Sequence, residues 1–269
     1  MRLKNLINYL LENVENFPQG KILDEAAIRG FSLDILKKKM PEFERYIYPE
    51  DIGIAIRRLV EDEYKLPYLG QGSSRVVYAL STGKVLKIAK TQAGVAQNEA
   101  ESEVSRNPST RYIGAKVYES DPNFYWSVME TAQIYKNGVQ LKLDLGIPKL
   151  ARGYRHGYDI SLAAFDLTKV YDRGYSVEEV IEARFRGDPE NKKAIEDLRK
   201  FLEDPPKSML ALVDLMYNAP TGQALEPGDI ITDHFGKTAD GRVVLVDYGF
   251  TTGVAENYYP STVDSDSGY

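Results

Sequence analysis

The chain has no cysteine, which excludes disulfides, thiolate metal sites and a cysteine nucleophile. It has only two histidines, His156 and His234, too few for a multi-histidine zinc centre. No apolar run approaches membrane-spanning length, and Met1-Arg2-Leu3-Lys4-Asn5-Leu6-Ile7 lacks the continuous apolar core of a signal peptide. The expectation is a soluble, cytoplasmic protein with no membrane partner. Basic residues are not in excess: the formal net charge is −6 and no long basic run occurs, so no nucleic-acid partner is expected. What the 269 residues do contain is 43% apolar and 11% aromatic side chains, enough to build the core of one large domain or two lobes.

Apolar spacing divides the chain. Residues 1–64 read as a helical segment, with Leu3, Leu6, Ile7, Leu10, Leu11 and Val14 at helical intervals over 2–14, and further helices over 24–28, 32–40 and 49–64. This segment carries no catalytic motif and reads as a scaffold packing on the next lobe. Between 65 and 130 the period changes to two, predicting strands over 68–80, 85–89, 113–118 and 125–129, with one helix over 94–106. Residues 131–255 turn mainly helical, over 159–170, 176–184, 191–202 and 207–217, and end in a hairpin turning at Asp240-Gly241. The tail from 256 to 269, rich in Ser, Tyr and Asp, reads as disordered.

Several residues carry chemistry. Gly70-Gln71-Gly72-Ser73-Ser74 lies between two strands, where glycines let backbone amides approach a phosphate; no Gly-Lys-Ser/Thr closes it, so it is not a Walker loop. Lys87 interrupts an apolar strand, either reaching solvent from an edge or meeting a buried anion. On the next helix, Gln97, Asn98, Glu101 and Val104 share one face and Glu99 and Glu103 another, which makes Glu101 the inward candidate to pair with Lys87. Asp229 comes after a Pro-Gly turn. Asp247 ends the apolar strand Val243 to Val246, where an unpaired carboxylate costs several kcal/mol and so points to a metal. Arg152-Gly153-Tyr154-Arg155-His156-Gly157-Tyr158 forms a basic-aromatic patch, read as a solvated loop.

In this order the parts resemble the protein-kinase family, over about residues 66 to 250 and in the reduced form found in bacteriophage kinase-like proteins. The resemblance implies an α+β, two-lobed protein-kinase-like fold: a small antiparallel β N-lobe, a helical C-lobe and an extra N-terminal helical segment. Gly70, Gly72, Ser73 and Ser74 would cover the phosphates of ATP, Lys87 with Glu101 would position them, and Met129 and Glu130 would belong to the adenine hinge. Asp229 would be catalytic and Asp247-Tyr248-Gly249 would bind Mg2+, with His234 and Asp233 as further metal candidates. Three features depart from the family pattern. Glu226-Pro227-Gly228 stands where His-Arg is usual, as in small-molecule kinases. His234 replaces an asparagine and is a poor ligand for a hard cation, which shifts the expectation towards Asp233 and Mn2+. No Ala-Pro-Glu motif comes after Gly249. The expected function is ATP-dependent transfer of the γ-phosphate to a hydroxyl, on protein Ser/Thr first, with a pseudokinase or a small-molecule kinase as alternatives and the acceptor unidentified.

Overall fold

Apolar residues run through successive positions of the central strands, and because side chains alternate sides the sheet has two buried faces. The computed structural model describes residues 31–81, 83–149, 159–186, 192–219, 223–226 and 230–259. The helices expected over 2–14 and 24–28, the patch at 152–158, Asp229 and the segment 260–269 lie outside the described residues. Helices α1 (Leu33–Phe43) and α2 (Pro49–Arg58), the latter running on as a π turn over Leu59–Glu63, precede a five-stranded antiparallel sheet. Its strands are β1 (Tyr68–Gln71), β2 (Arg75–Ser81), β3 (Lys84–Ala89), β4 (Val117–Ser120) and β5 (Trp126–Glu130), in the order β1-β2-β3-β5-β4. Helix α3 (Gln92–Arg106) is inserted between β3 and β4.

On one face of the sheet, Val76, Tyr78, Leu86, Ile88, Trp126 and Val128 pack with Leu36, Met40, Ile52 and Ile56 of α1 and α2. The N-terminal helices are therefore the outer cover of the sheet, buried against apolar area that would otherwise face water. On the other face, Val85 and Met129 join a larger core shared with the helical part of the chain.

That part contains β6 (Gln133–Ile134), α4 (Gly138–Asp144), α5 (Ile160–Tyr171), α6 (Val177–Arg184), α7 (Lys192–Glu203) and α8 (Lys207–Val213), which continues as a π turn over Asp214–Asn218. Ser176 and Glu179 form a reciprocal capping box at the start of α6, as the sequence signature predicts. A second small sheet, β6-β7-β8, is completed by β7 (Phe235–Lys237) and β8 (Val243–Leu245), and α9 (Thr252–Tyr258) is the last element of the described residues. The α+β composition expected from the sequence is thus observed, with a small antiparallel sheet preceding a helical portion.

Three local expectations need correction. The strand expected over 113–118 begins only at Val117, because Ile113 and Ala115 bond instead to Leu245 of β8, with Ala115 N–H donating to the Leu245 carbonyl at 2.8 Å. Residues 256–258, assigned to a tail, are the last turn of α9, whose Val254 and Ala255 are buried. Helix α4 and strand β6 were not anticipated; at seven and two residues they are too short for a clear periodic signal.

Candidate functional site

Antiparallel register places Val77 opposite Lys87, so Arg75, Val77 and Lys87 share the sheet face that looks towards α3. Helix α3 turns its Gln97, Asn98, Glu101 and Val104 inward, all buried, and leaves Glu99 and Glu103 exposed. Lys87 and Glu101 meet there: Nζ donates to Oε1 at 2.8 Å, and both side chains are buried. The same ammonium donates to the carbonyl oxygen of Val246 at 2.9 Å. Val246 immediately precedes Asp247, so one lysine ties the sheet, the helix and the strand that delivers the acidic residue. Burial pushes the Lys87 ammonium below its ordinary value, opposed by the nearby Glu101 carboxylate.

The segment after β8 is pinned on both sides. Tyr248 is fully buried and donates its hydroxyl proton to the Ala115 carbonyl at 2.5 Å. At Gly249 a Cβ would stand 2.5 Å from the Gln97 carbonyl oxygen, so only glycine allows this approach to α3. Asp247, just ahead of them, is partly open, its side chain 38% exposed.

A residue that the sequence reading passed over completes the cluster. Arg75 is buried, and its guanidinium lies 2.9 Å from Glu101 Oε2 while donating to Asp247 Oδ1 and, at 3.4 Å, to Asn98 Oδ1. Four charges, two of each sign, therefore form a continuous network of Lys87, Glu101, Arg75 and Asp247. Burial alone would raise the Asp247 carboxyl, but Arg75, Lys87 and His234 together hold it below the usual carboxylate range. Period-two alternation from Lys87 through Val77 back to Arg75 was the available signal for this residue.

The other expected site residues fall into place unevenly. The hairpin between β1 and β2 folds down on the start of α3: Ser74 is buried and donates to Gln97 Oε1 at 2.6 Å, and its carbonyl accepts from Lys90 N–H at 2.7 Å. The Gly72 amide is engaged with the Arg75 carbonyl, yet a Cβ at Gly72 would project into open space. Ser73 Oγ is 3.3 Å from the Tyr259 hydroxyl, which brings the end of α9 beside the hairpin. Met129 is buried in the larger core. Glu130 spends its carboxylate on Arg242, at 2.6 and 2.8 Å, and its amide on the Lys116 carbonyl. His234 is buried on a 3-10 turn, Thr232–His234, and its carbonyl accepts from Val246 N–H; Asp233 is half-buried on the same turn. Asp229 lies outside the described residues.

No protein-family model and no curated protein matches this chain. Among solved structures, the kinase domain of PknI from Mycobacterium tuberculosis, in a point-mutant form, is similar at 15% identity with a TM-score of 0.27. The match covers 68% of this chain and 58% of that one, so it spans less than two thirds of the kinase domain's length.

For a divalent cation the residues fit one mode of binding. Among the described residues no group of three or more His, Asp or Glu side chains gathers as a metal cage. Magnesium is commonly held by one or two carboxylates plus substrate phosphates, and the partly open Asp247 can supply a carboxylate of that kind. No helix of the described residues is long and apolar enough to cross a membrane.

Proposed function

We propose that the protein is a phosphotransferase of kinase-like design that uses ATP. The observation carrying this reading is the Lys87–Glu101 ion pair with Lys87 also bonded to the Val246 carbonyl, one residue before Asp247. A third-strand lysine held by a helix glutamate, next to a strand-end aspartate, is the arrangement by which kinases position a triphosphate.

In this reading Lys87 contacts the α- and β-phosphates, and the hairpin from Gly70 to Ser74 covers them. Asp247 would hold an Mg2+ or Mn2+ ion arriving with the nucleotide, which would supply counter-charge to the phosphates. Asp229 orients the acceptor hydroxyl and takes its proton. The acceptor oxygen forms the new bond to the γ-phosphorus, the bond from that phosphorus to the β–γ bridging oxygen breaks, and ADP leaves. Positioning and charge supply most of the rate. A protein Ser or Thr is the acceptor we favour; Glu226-Pro227-Gly228 supports a small molecule instead.

The pairing of Arg75 with Asp247 favours a second reading, a pseudokinase that binds nucleotide without turnover. Incubation with γ-labelled ATP and Mg2+ or Mn2+, tracking protein labelling and phosphate release, separates the two. Wild type is expected to show label or turnover, with Lys87→Met and Asp247→Asn at least about a hundredfold weaker. Undiminished activity in both variants would remove the site from the mechanism, and ATP binding without any turnover would establish the second reading.

A further inference from the structure

We propose that Arg75 is an internal rival of the divalent cation for Asp247, and that its guanidinium has to leave the carboxylate for the metal to bind there. The inference rests on the reading of the protein as an ATP-using phosphotransferase.

Charge and place both point to rivalry. Lys87 is satisfied without Arg75, since Glu101 Oε1 and the Val246 carbonyl take two of its protons. Glu101 is then neutralised a second time, through Oε2, by Arg75. The same planar guanidinium extends to Asp247, and Arg is suited to span two carboxylates in this way. Among the described residues the network holds two cations and two anions before any metal arrives. A divalent ion bonded to Asp247 would stand within a few ångströms of the guanidinium, and like charges at that distance repel.

The anchor points of Arg75 differ in permanence. Its contact with Glu101 is wholly buried, whereas Asp247 is 38% exposed and can be rehydrated or captured from solvent. Arg75 also opens β2 directly after the glycine hairpin, so a nucleotide held by that hairpin would act on the element that carries the arginine.

The test compares the full chain as wild type, Arg75→Gln, Arg75→Lys and Asp247→Asn. For each, the affinity for ADP is measured by calorimetry without metal and with saturating Mn2+, and the dissociation constant without metal is divided by that with Mn2+. The ratio is expected to rise about tenfold in Arg75→Gln, the size of a typical coupling between ligands. It should rise in the same direction in Arg75→Lys, which keeps the charge beside Glu101 but cannot span both carboxylates, and it should fall below wild type in Asp247→Asn. If the glutamine variant fails to fold, the lysine variant carries the test. An unchanged or smaller ratio in the folded Arg75 variants, with ADP still bound, overturns the proposal alone. Absence of ADP binding in every protein, wild type included, overturns the functional reading with it.

Discussion

Two buried ion networks serve different ends in this molecule. In the helical part, Asp166 of α5 is 0% exposed and receives Arg184 of α6 in a two-pronged grip, Nε at 2.6 Å and NH2 at 2.5 Å, with Lys169 at 3.6 Å. All three residues come from two consecutive helices. Beside the sheet, Lys87, Glu101, Arg75 and Asp247 come from two strands, a helix and a loop, and Arg75 and Asp247 are 172 positions apart in the chain. The first centres on a carboxylate that is fully buried, while the second ends on one that is 38% exposed. A buried pair locks two helices together. An open-ended one leaves a charged oxygen accessible to a ligand, which is the difference between a fastening and a site.

Breaking the first network should have the largest effect on stability. Arg184→Met removes the two-pronged grip on the fully buried Asp166, and is expected to cost about 3–5 kcal/mol in denaturant unfolding. Arg75→Gln should cost less, because water can reach Asp247. Equal losses would erase the distinction between the two networks.

A smaller effect sharpens the same comparison from the packing side. Gly249→Ala forces a methyl against the Gln97 carbonyl and should cost about 1–3 kcal/mol, as overpacking does. Because the loop carrying Asp247 would have to move, ADP affinity in the presence of Mn2+ should fall as well. An alanine variant that keeps wild-type stability and affinity would show that the loop is not fixed by α3.

The smallest effect concerns a third, more superficial cluster. Asp144 accepts from the Tyr135 hydroxyl at 2.6 Å, Lys237 at 2.9 Å and Gln140 at 2.8 Å, and these bonds bring its carboxyl down to about 2. Folded Asp144 thus binds its proton less readily than the unfolded residue. Its contribution is full above the unfolded value near 4 and drains away as pH falls towards 2. The stability gap between wild type and Asp144→Asn should be widest at neutral pH and close over that acid window; a gap independent of pH would assign the loss to packing.

Much of the fold could be read without coordinates. Alternation located β2 and β3, and helical spacing turned Glu101 inward and Glu99 and Glu103 outward, as the burial of α3 shows. The capping box at Ser176 was legible because its two partners are three residues apart. Ile113 to Ala115 misled because an apolar segment bonded to β8 has the same composition as one paired within the larger sheet. Arg75 was missed for a related reason: an arginine opening a strand is ordinarily a solvated edge residue, and nothing local says that a carboxylate awaits it from far along the chain.

The sequence by itself determined many of the side chains withdrawn from water, because burial follows periods of two and 3.6 residues that any short window displays. It also set out Lys87, Glu101 and Asp247 in an order that invited their grouping. Only the tertiary structure decided which charges pair. An ion pair depends on a few ångströms of separation and on local solvation, and both are fixed by the crossing of α3 over the sheet and the return of β8 beside it. That crossing put Arg75 between Glu101 and Asp247, and so made one network from residues that the sequence keeps apart.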